Sequence, residues 1–404
     1  MSLGLFSLLE RNPASARVPS RPQCGACGLW QGCQSPKMPV AGEGRKGIMV
    51  AAESPGKTED EEGIPLVGKA GQLLQKYLSQ VGINLFRDCW VVNSARCRPP
   101  RNALPPKAIG YCRPFTVNDI RELKPRAILL LGGAAIKSII GWQWREEVGD
   151  VGRWVGWQIP CQELNAYLCP TWHPSYLARQ EGARDYPVLE GWFLRHLRAF
   201  ARLTDRPWPN GPPDYASQVQ VTIDPDEAAQ VVEKFTQNNK LTAFDFETDR
   251  IKPDHPDAFI HSCALSDGED TVAFPWVGEA TRAMKKFLCS GVPKIGWSIK
   301  FESRWARKIA GVRIRNWRWD GMLAAHVLDN RRGITGLEFQ AWVQLGQRPW
   351  DESVLPFLKS AGGGNAPNRI KQADLRKVLM YCGCDARLEF ELARIQAKQL
   401  GIKL

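Results

Sequence analysis

The sequence predicts two α/β domains joined by a linker, and three observations carry that reading. The chain has 404 residues, too many for one ordinary core. Short apolar runs alternate with helical stretches before residue 202, whereas after residue 218 strand-like runs come first and helices follow. Between them, RLTDRPWPNGPPDYASQ (202–218) crowds Pro, Gly, Asp and Asn without an apolar period, and proline lacks the N–H that helices and sheets use. The expected organisation is a first domain over 1–203, a linker over 204–218 and a second domain over 219–404.

In the first domain the runs GIMVAAESPG, CWVVNSARC and RAILLLGG each end in small or polar residues, and AGQLLQKYLSQVG is one of the helical stretches between them. Strand, loop and helix in repetition predict a parallel sheet with ligand-binding loops at the carboxyl ends of its strands. In the second domain LTAFDFET, SCALSDGEDTVAFPW and PKIGWSIKF read as strands, and helices dominate from WDGMLAAHVL onward. SAGGGNAPN (360–368) reads as a flexible surface loop.

Composition narrows the partners. At 44% hydrophobic and 24% charged the chain reads as a soluble globular protein. No apolar run approaches the roughly 18–20 residues of a membrane span. MSLGLFSLLERN lacks both a basic start and a small-residue cleavage site, so no signal peptide and a cytoplasmic location are expected. In a reducing compartment the 12 cysteines are thiols or metal ligands rather than disulfides. Net charge is +12, with 27 Lys+Arg against 18 Asp+Glu in residues 1–213 and 27 against 24 beyond. That balance suits a polyanion, nucleic acid first.

Cys24 and Cys27 form a C-x2-C, with Cys97 and Cys112 far downstream. Four soft thiolates suit tetrahedral zinc or an iron–sulfur cluster, and the open second pair favours the cluster; unconnected buried thiols are the alternative. Around them stand AAESPGKTEDEEGIPLVGKAGQLL, VVNSARCRPPRNALPP, YCRPF and CPTWHPSYLAR. In order and spacing these motifs resemble the family 4 uracil-DNA glycosylases, from about Cys24 to Leu203. The resemblance implies an αβα sandwich and a 4Fe-4S cluster on Cys24, Cys27, Cys97 and Cys112, leaving Cys33 over. It also implies that Asn93 reads the uracil edge, where an amide offers both donor and acceptor. Glu53 is then linked to the hydrolytic water, and His173 donates to O2 of the departing uracil anion. Ser54 and Leu66 line the same pocket. The family pattern has a phenylalanine where Leu66 stands and glycine where Ala52 stands.

In FDFET, Asp245 and Glu247 lie two apart on a strand and so share a face. With IGWSIKFESRW, WDGMLAAHVLDN and YCGCDARLEFEL downstream, the order resembles the proofreading-type 3′–5′ exonucleases of the DEDD superfamily, over about Val219 to Leu400. That resemblance implies an RNase H-like fold and two divalent cations, Mg2+ or Mn2+, held by Asp245, Glu247, Glu302 and Asp385. Tyr381, four residues before Asp385 on a helix, shares its face and orients the attacking water. Ser298 stands where the family has Asn, and Glu302 where it has Asp. Asp320 reads as structural. The implied function is a bifunctional enzyme that excises uracil from DNA and degrades DNA from its 3′ end, with no polymerase following. Its rivals are a uracil-binding adaptor and a glycosylase carrying a non-catalytic DNA clamp.

Overall fold

The structure, a computed structural model, describes residues 21–145, 147–204, 213–360, 362 and 364–404. The expectations for the first twelve residues, for 205–212 of the linker and for 361 and 363 of the Gly-rich loop lie outside these residues. The chain forms two compact units, Met1–Gly211 with Trp342–Gly346 and Pro212–Ala341 with Gln347–Leu404. Among the described residues, no helix is long and apolar enough to cross a membrane.

The first unit holds β1 (Ile48–Ala52), β2 (Cys89–Asn93), β3 (Ala127–Leu131), β4 (Ile159–Cys161) and β5 (Ala166–Thr171), in the order β2-β1-β3-β5-β4. All neighbours are parallel except β4 with β5. IMVAA and AILLL are buried throughout because helices cover both faces of a parallel sheet, which turns its central strands into continuous apolar runs. Ile48, Val50, Leu129 and Leu131 share one core with Leu74, Tyr77, Phe193 and Leu197 of the helices Lys69–Ser79 and Tyr186–Ala201. The helix Gly132–Gln143 packs on the sheet as well, against β1, β3 and β5, so the unit is the expected αβα sandwich.

The second unit holds β6 (Val219–Val221), β7 (Thr242–Thr248), β8 (Ile260–Ser266), β9 (Thr271–Pro275), β10 (Lys294–Gly296) and β11 (Trp317–Asp320), in the order β11-β10-β7-β8-β9-β6. This sheet is mixed: β8 runs antiparallel to β7 and β9, and the other pairs are parallel. The period of two sorts β7. Phe244 and Phe246 enter a core with the helices Pro225–Asn238 and Gly278–Cys289, while Ala243 packs on the opposite face with Phe390 and Ala393 of the long helix Leu375–Leu400. Asp245 and Glu247 therefore face that helix.

PKIGWSIKF departs from the expected strand. It is extended only to Gly296, then turns at Ser298, whose φ is +69°, into the helix Ile299–Trp305. Asp320 makes the turn possible by accepting from the backbone N–H of Ser298 at 3.1 Å and of Ile299 at 3.3 Å. It also caps the helix Gly321–Leu328 through Met322 and Leu323. The described end of the Gly-rich loop is tied rather than free. Asn365 exchanges hydrogen bonds with the Lys252 backbone, and Asn368 donates to the Thr248 carbonyl at 2.9 Å.

Candidate active sites

In the first unit Glu53 follows β1, Asn93 ends β2, Gly132 follows β3 and His173 lies two residues beyond β5. Parallel strands deliver these positions to one end of the sheet, where α/β folds bind ligands. Ala52 is in register with Asn93, and the Ser94 and Ala95 N–H groups donate to the carbonyls of Ala52 and Glu53, both at 2.9 Å. Glu53 is thus held beside Asn93 through its backbone. Burial raises its carboxyl above the usual range, and Arg179 pulls it back down. Asn93 is 3% exposed and donates from Nδ2 to Met38 Sδ at 3.7 Å.

His173 caps the helix Pro174–Gln180, its Nδ1 accepting from the Ser175 N–H at 3.2 Å. With Nδ1 so engaged, a neutral ring carries its proton on Nε2, free to donate. Burial, assisted by Arg179, pushes the imidazole down to about 4, so the neutral form prevails at physiological pH. Gly132, at φ +77°, gives this loop its room: a Cβ there would stand 2.9 Å from His173 Cβ. Ser54 is half-buried, and Leu66, at φ +56°, is 5% exposed and belongs to the apolar core.

One acid that sequence reasoning passed over braces two turns beside this site. Glu59 accepts from the N–H of Gly56 at 3.0 Å through Oε2 and of Gly68 at 2.9 Å through Oε1. It thereby ties the ESPG turn after β1 to the PLVG turn that carries Leu66. The available signal was its place in the run EDEE between two glycine turns, but such a run reads as solvated surface.

Cys24, Cys27, Cys97 and Cys112, the four thiols expected to act together, line one small pocket with Leu29 and Phe115 among its apolar walls. The Lys37 N–H donates to Cys97 Sγ at 3.2 Å and the Arg96 N–H to Cys112 Sγ at 3.3 Å. Four converging sulfurs with N–H groups aimed at them fit a thiolate-bound cluster. Burial pushes the free thiols up, Cys97 to about 12 and Cys112 to about 11. Cys33 interacts with Cys97 but is not part of the pocket lining.

In the second unit Asp245, Glu247 and Cys382 bring ligand atoms within 4.8 Å of one another. Burial holds the Cys382 thiol protonated, and it donates to Asp245 Oδ2 at 3.7 Å. Asp385 accepts from Trp350 Nε1 at 2.6 Å and from Tyr381. Glu302 is 2% exposed. Burial lifts Asp245 to about 6, and raises Glu247, Asp385 and Glu302 well above the carboxylate range, each pushed further by a neighbouring acid. Of the four predicted acids, Asp245 and Glu247 alone bring their oxygens into that 4.8 Å group among the described residues; Asp385 and Glu302 interact electrostatically with Asp245, and Tyr381 donates to Asp385. Trp350 is an addition that its distance in sequence concealed. Oxygen donors crowded without a counter-charge suit hard divalent cations.

These two sites define the class: an α/β protein whose first unit gathers an amide, a neutral imidazole and a carboxylate at the strand ends of one sheet, and whose second unit holds a cluster of buried acids. A model of the uracil DNA glycosylase superfamily matches residues 39–197. The type-4 uracil-DNA glycosylase of Pyrobaculum aerophilum is 37% identical over 172 residues, covering 40% of this chain and 81% of that protein. The Thermotoga maritima type-4 enzyme is 34% identical over 143 residues, 35% of this chain and 71% of its own. The chain belongs to the type-4 uracil-DNA glycosylase family of that superfamily. A DNA polymerase of Bacillus phage SP01 is 22% identical over 382 residues, 86% of this chain and 40% of the polymerase. A Trypanosoma brucei RNase D–GMP complex aligns with a TM-score of 0.37 at 14% identity, covering 45% of this chain and 57% of that one.

Proposed function

We propose that the chain acts on DNA at two sites, releasing uracil by hydrolysis of its N-glycosidic bond and removing nucleotides from 3′ ends. The observation that carries the first activity is the convergence of Glu53, Asn93 and His173 at the carboxyl end of one parallel sheet. Asn93 donates to uracil O4 from Nδ2 and accepts from N3–H at Oδ1, a polarity that cytosine opposes. His173, neutral and protonated at Nε2, donates to O2 as negative charge gathers on the departing base. Glu53 orients the attacking water, while Ser54 and Leu66 wall the pocket. Cys24, Cys27, Cys97 and Cys112 hold a 4Fe-4S cluster, which fastens the segment around Cys24 to the end of β2.

For the second activity Asp245, Glu247, Glu302 and Asp385 bind divalent cations, Mg2+ or Mn2+, which neutralise the phosphodiester. Tyr381 holds the nucleophilic water, and Trp350 holds Asp385. The substrate at both sites is DNA, in keeping with the +12 charge. One experiment separates the activities: a uracil-containing oligonucleotide labelled at its 3′ end, incubated with and without EDTA. Free uracil should appear in both, and shortened strands only without EDTA. Uracil retained in both reactions refutes the glycosylase reading. Intact 3′ ends in Mg2+ and Mn2+ alike refute the exonuclease reading.

A further inference from the structure

The long helix carries one more acid into the cage than this function uses. Glu389 lies one turn beyond Asp385 and two beyond Tyr381, on the same stripe of Leu375–Leu400. It is 1% exposed, its carboxylate accepts from the Trp297 N–H, and its Oε2 is buried without a hydrogen-bond partner. Glu302 reaches in from Ile299–Trp305, and its Oε2 is also buried and unpartnered. Glu389 interacts electrostatically with Asp245, Glu302 and Asp385. Among the described residues, no Lys or Arg is paired with Asp245, Glu247, Glu302, Asp385 or Glu389. A buried carboxylate oxygen with neither donor nor counter-charge is strongly disfavoured. Two such oxygens on neighbouring acids call for a cation.

We propose that Glu389 is a further metal ligand, forming with Glu302 and Asp245 a cation position beside the one framed by Asp245, Glu247 and Asp385. The proposal rests on the exonuclease reading and deepens it. All its donors are carboxylate oxygens, so the ion is of the Mg2+ or Mn2+ class. It also accounts for Glu302, whose extra methylene carries its carboxylate farther from its own helix than aspartate would.

The test titrates the metal-free full chain with Mn2+, reading free ion by electron paramagnetic resonance, and melts each protein in EDTA and in Mn2+. The wild type should bind two ions. Glu389→Gln should keep one at the wild-type affinity and weaken the other by at least about tenfold, since carboxylate count sets affinity at such sites. Glu302→Gln should weaken the same ion, whereas Asp385→Asn should weaken its companion. In EDTA, Glu389→Gln should melt close to the wild-type temperature, because the amide fills the same buried space, and Mn2+ should raise its melting less. Two ions bound by Glu389→Gln at wild-type affinities overturn the proposal and leave the exonuclease reading standing. Lower melting in EDTA with unchanged Mn2+ binding overturns it too, assigning Glu389 to the Trp297 turn. A wild type that binds no Mn2+ overturns both readings.

Discussion

Glu59→Ala removes a side chain that ties the Gly56 and Gly68 turns together. Each of its hydrogen bonds, at 3.0 and 2.9 Å, ends on a carboxylate oxygen, and such bonds contribute roughly 1.5–3 kcal/mol apiece. Glu59 is 9% exposed, so water replaces it only in part, and a net loss of roughly 3 kcal/mol follows for the first unit. For a domain of this size that lowers melting by about 6–12 °C. The same change frees the Glu53 turn and the Leu66 turn from each other. A misplacement of about 1 Å in a catalytic group lowers rate by about a hundredfold, so uracil release should fall by one to two orders of magnitude. Glu59→Gln should recover less than half of either loss, because its amide NH2 meets one glycine N–H donor to donor. The assays are thermal melting and release of labelled uracil under single-turnover conditions. If Glu59→Ala melts with the wild type and excises at its rate, the brace has no role in holding the two turns.

Other expectations follow from the same geometry. The acid limb of excision should reflect Glu53, raised above its usual value by burial, rather than a histidine near 6.5. Arg179→Ala should move that limb to higher pH, since the cation lowers both Glu53 and His173. Stability should decline as pH falls from about 6.5 towards 4, because the unfolded chain takes up a proton on His173 that the folded chain excludes; melting of His173→Ala should be flatter there. Asn93→Ala should lose selection for uracil over cytosine as well as rate, measured on paired substrates. Cys97→Ser should bleach the brown absorbance of anaerobically purified protein. Asp245→Asn or Asp385→Asn should abolish 3′ degradation, with Tyr381→Phe and Trp350→Phe slowing it less, and none of the four should alter uracil release.

The parts that could be read in the sequence are those whose causes are local. IMVAA and AILLL announce a two-sided burial, the period of two puts Asp245 and Glu247 on one face, and the spacing of four does the same for Tyr381 and Asp385. Glu59, Trp350 and Glu389 escaped because their meaning is tertiary. Glu59 sits in an acidic run that resembles solvated surface. Trp350 is 35 residues from the aspartate it holds. Glu389 continues the stripe of Tyr381 and Asp385, and extending that spacing by one turn would have found it. The bend at Ser298 was hidden for the same reason, since Asp320, which stabilises it, lies on another strand.

The helix Leu375–Leu400 rests on β6 at Gly383, where a Cβ would stand 2.3 Å from Val219 Cγ1. A hydrogen atom is therefore the spacer between strand and helix, and the clearance is finer than any side chain can meet. Tyr381, Asp385 and Glu389 ride on the same stiff rod, so a shim of one methyl group would shift all three against β7 together while leaving each side chain chemically intact. Gly383→Ala should impair metal-dependent cleavage without touching an acid, and Val219→Ala beside it should restore the fit. Among descendants of this sequence, the two positions are expected to change as a pair.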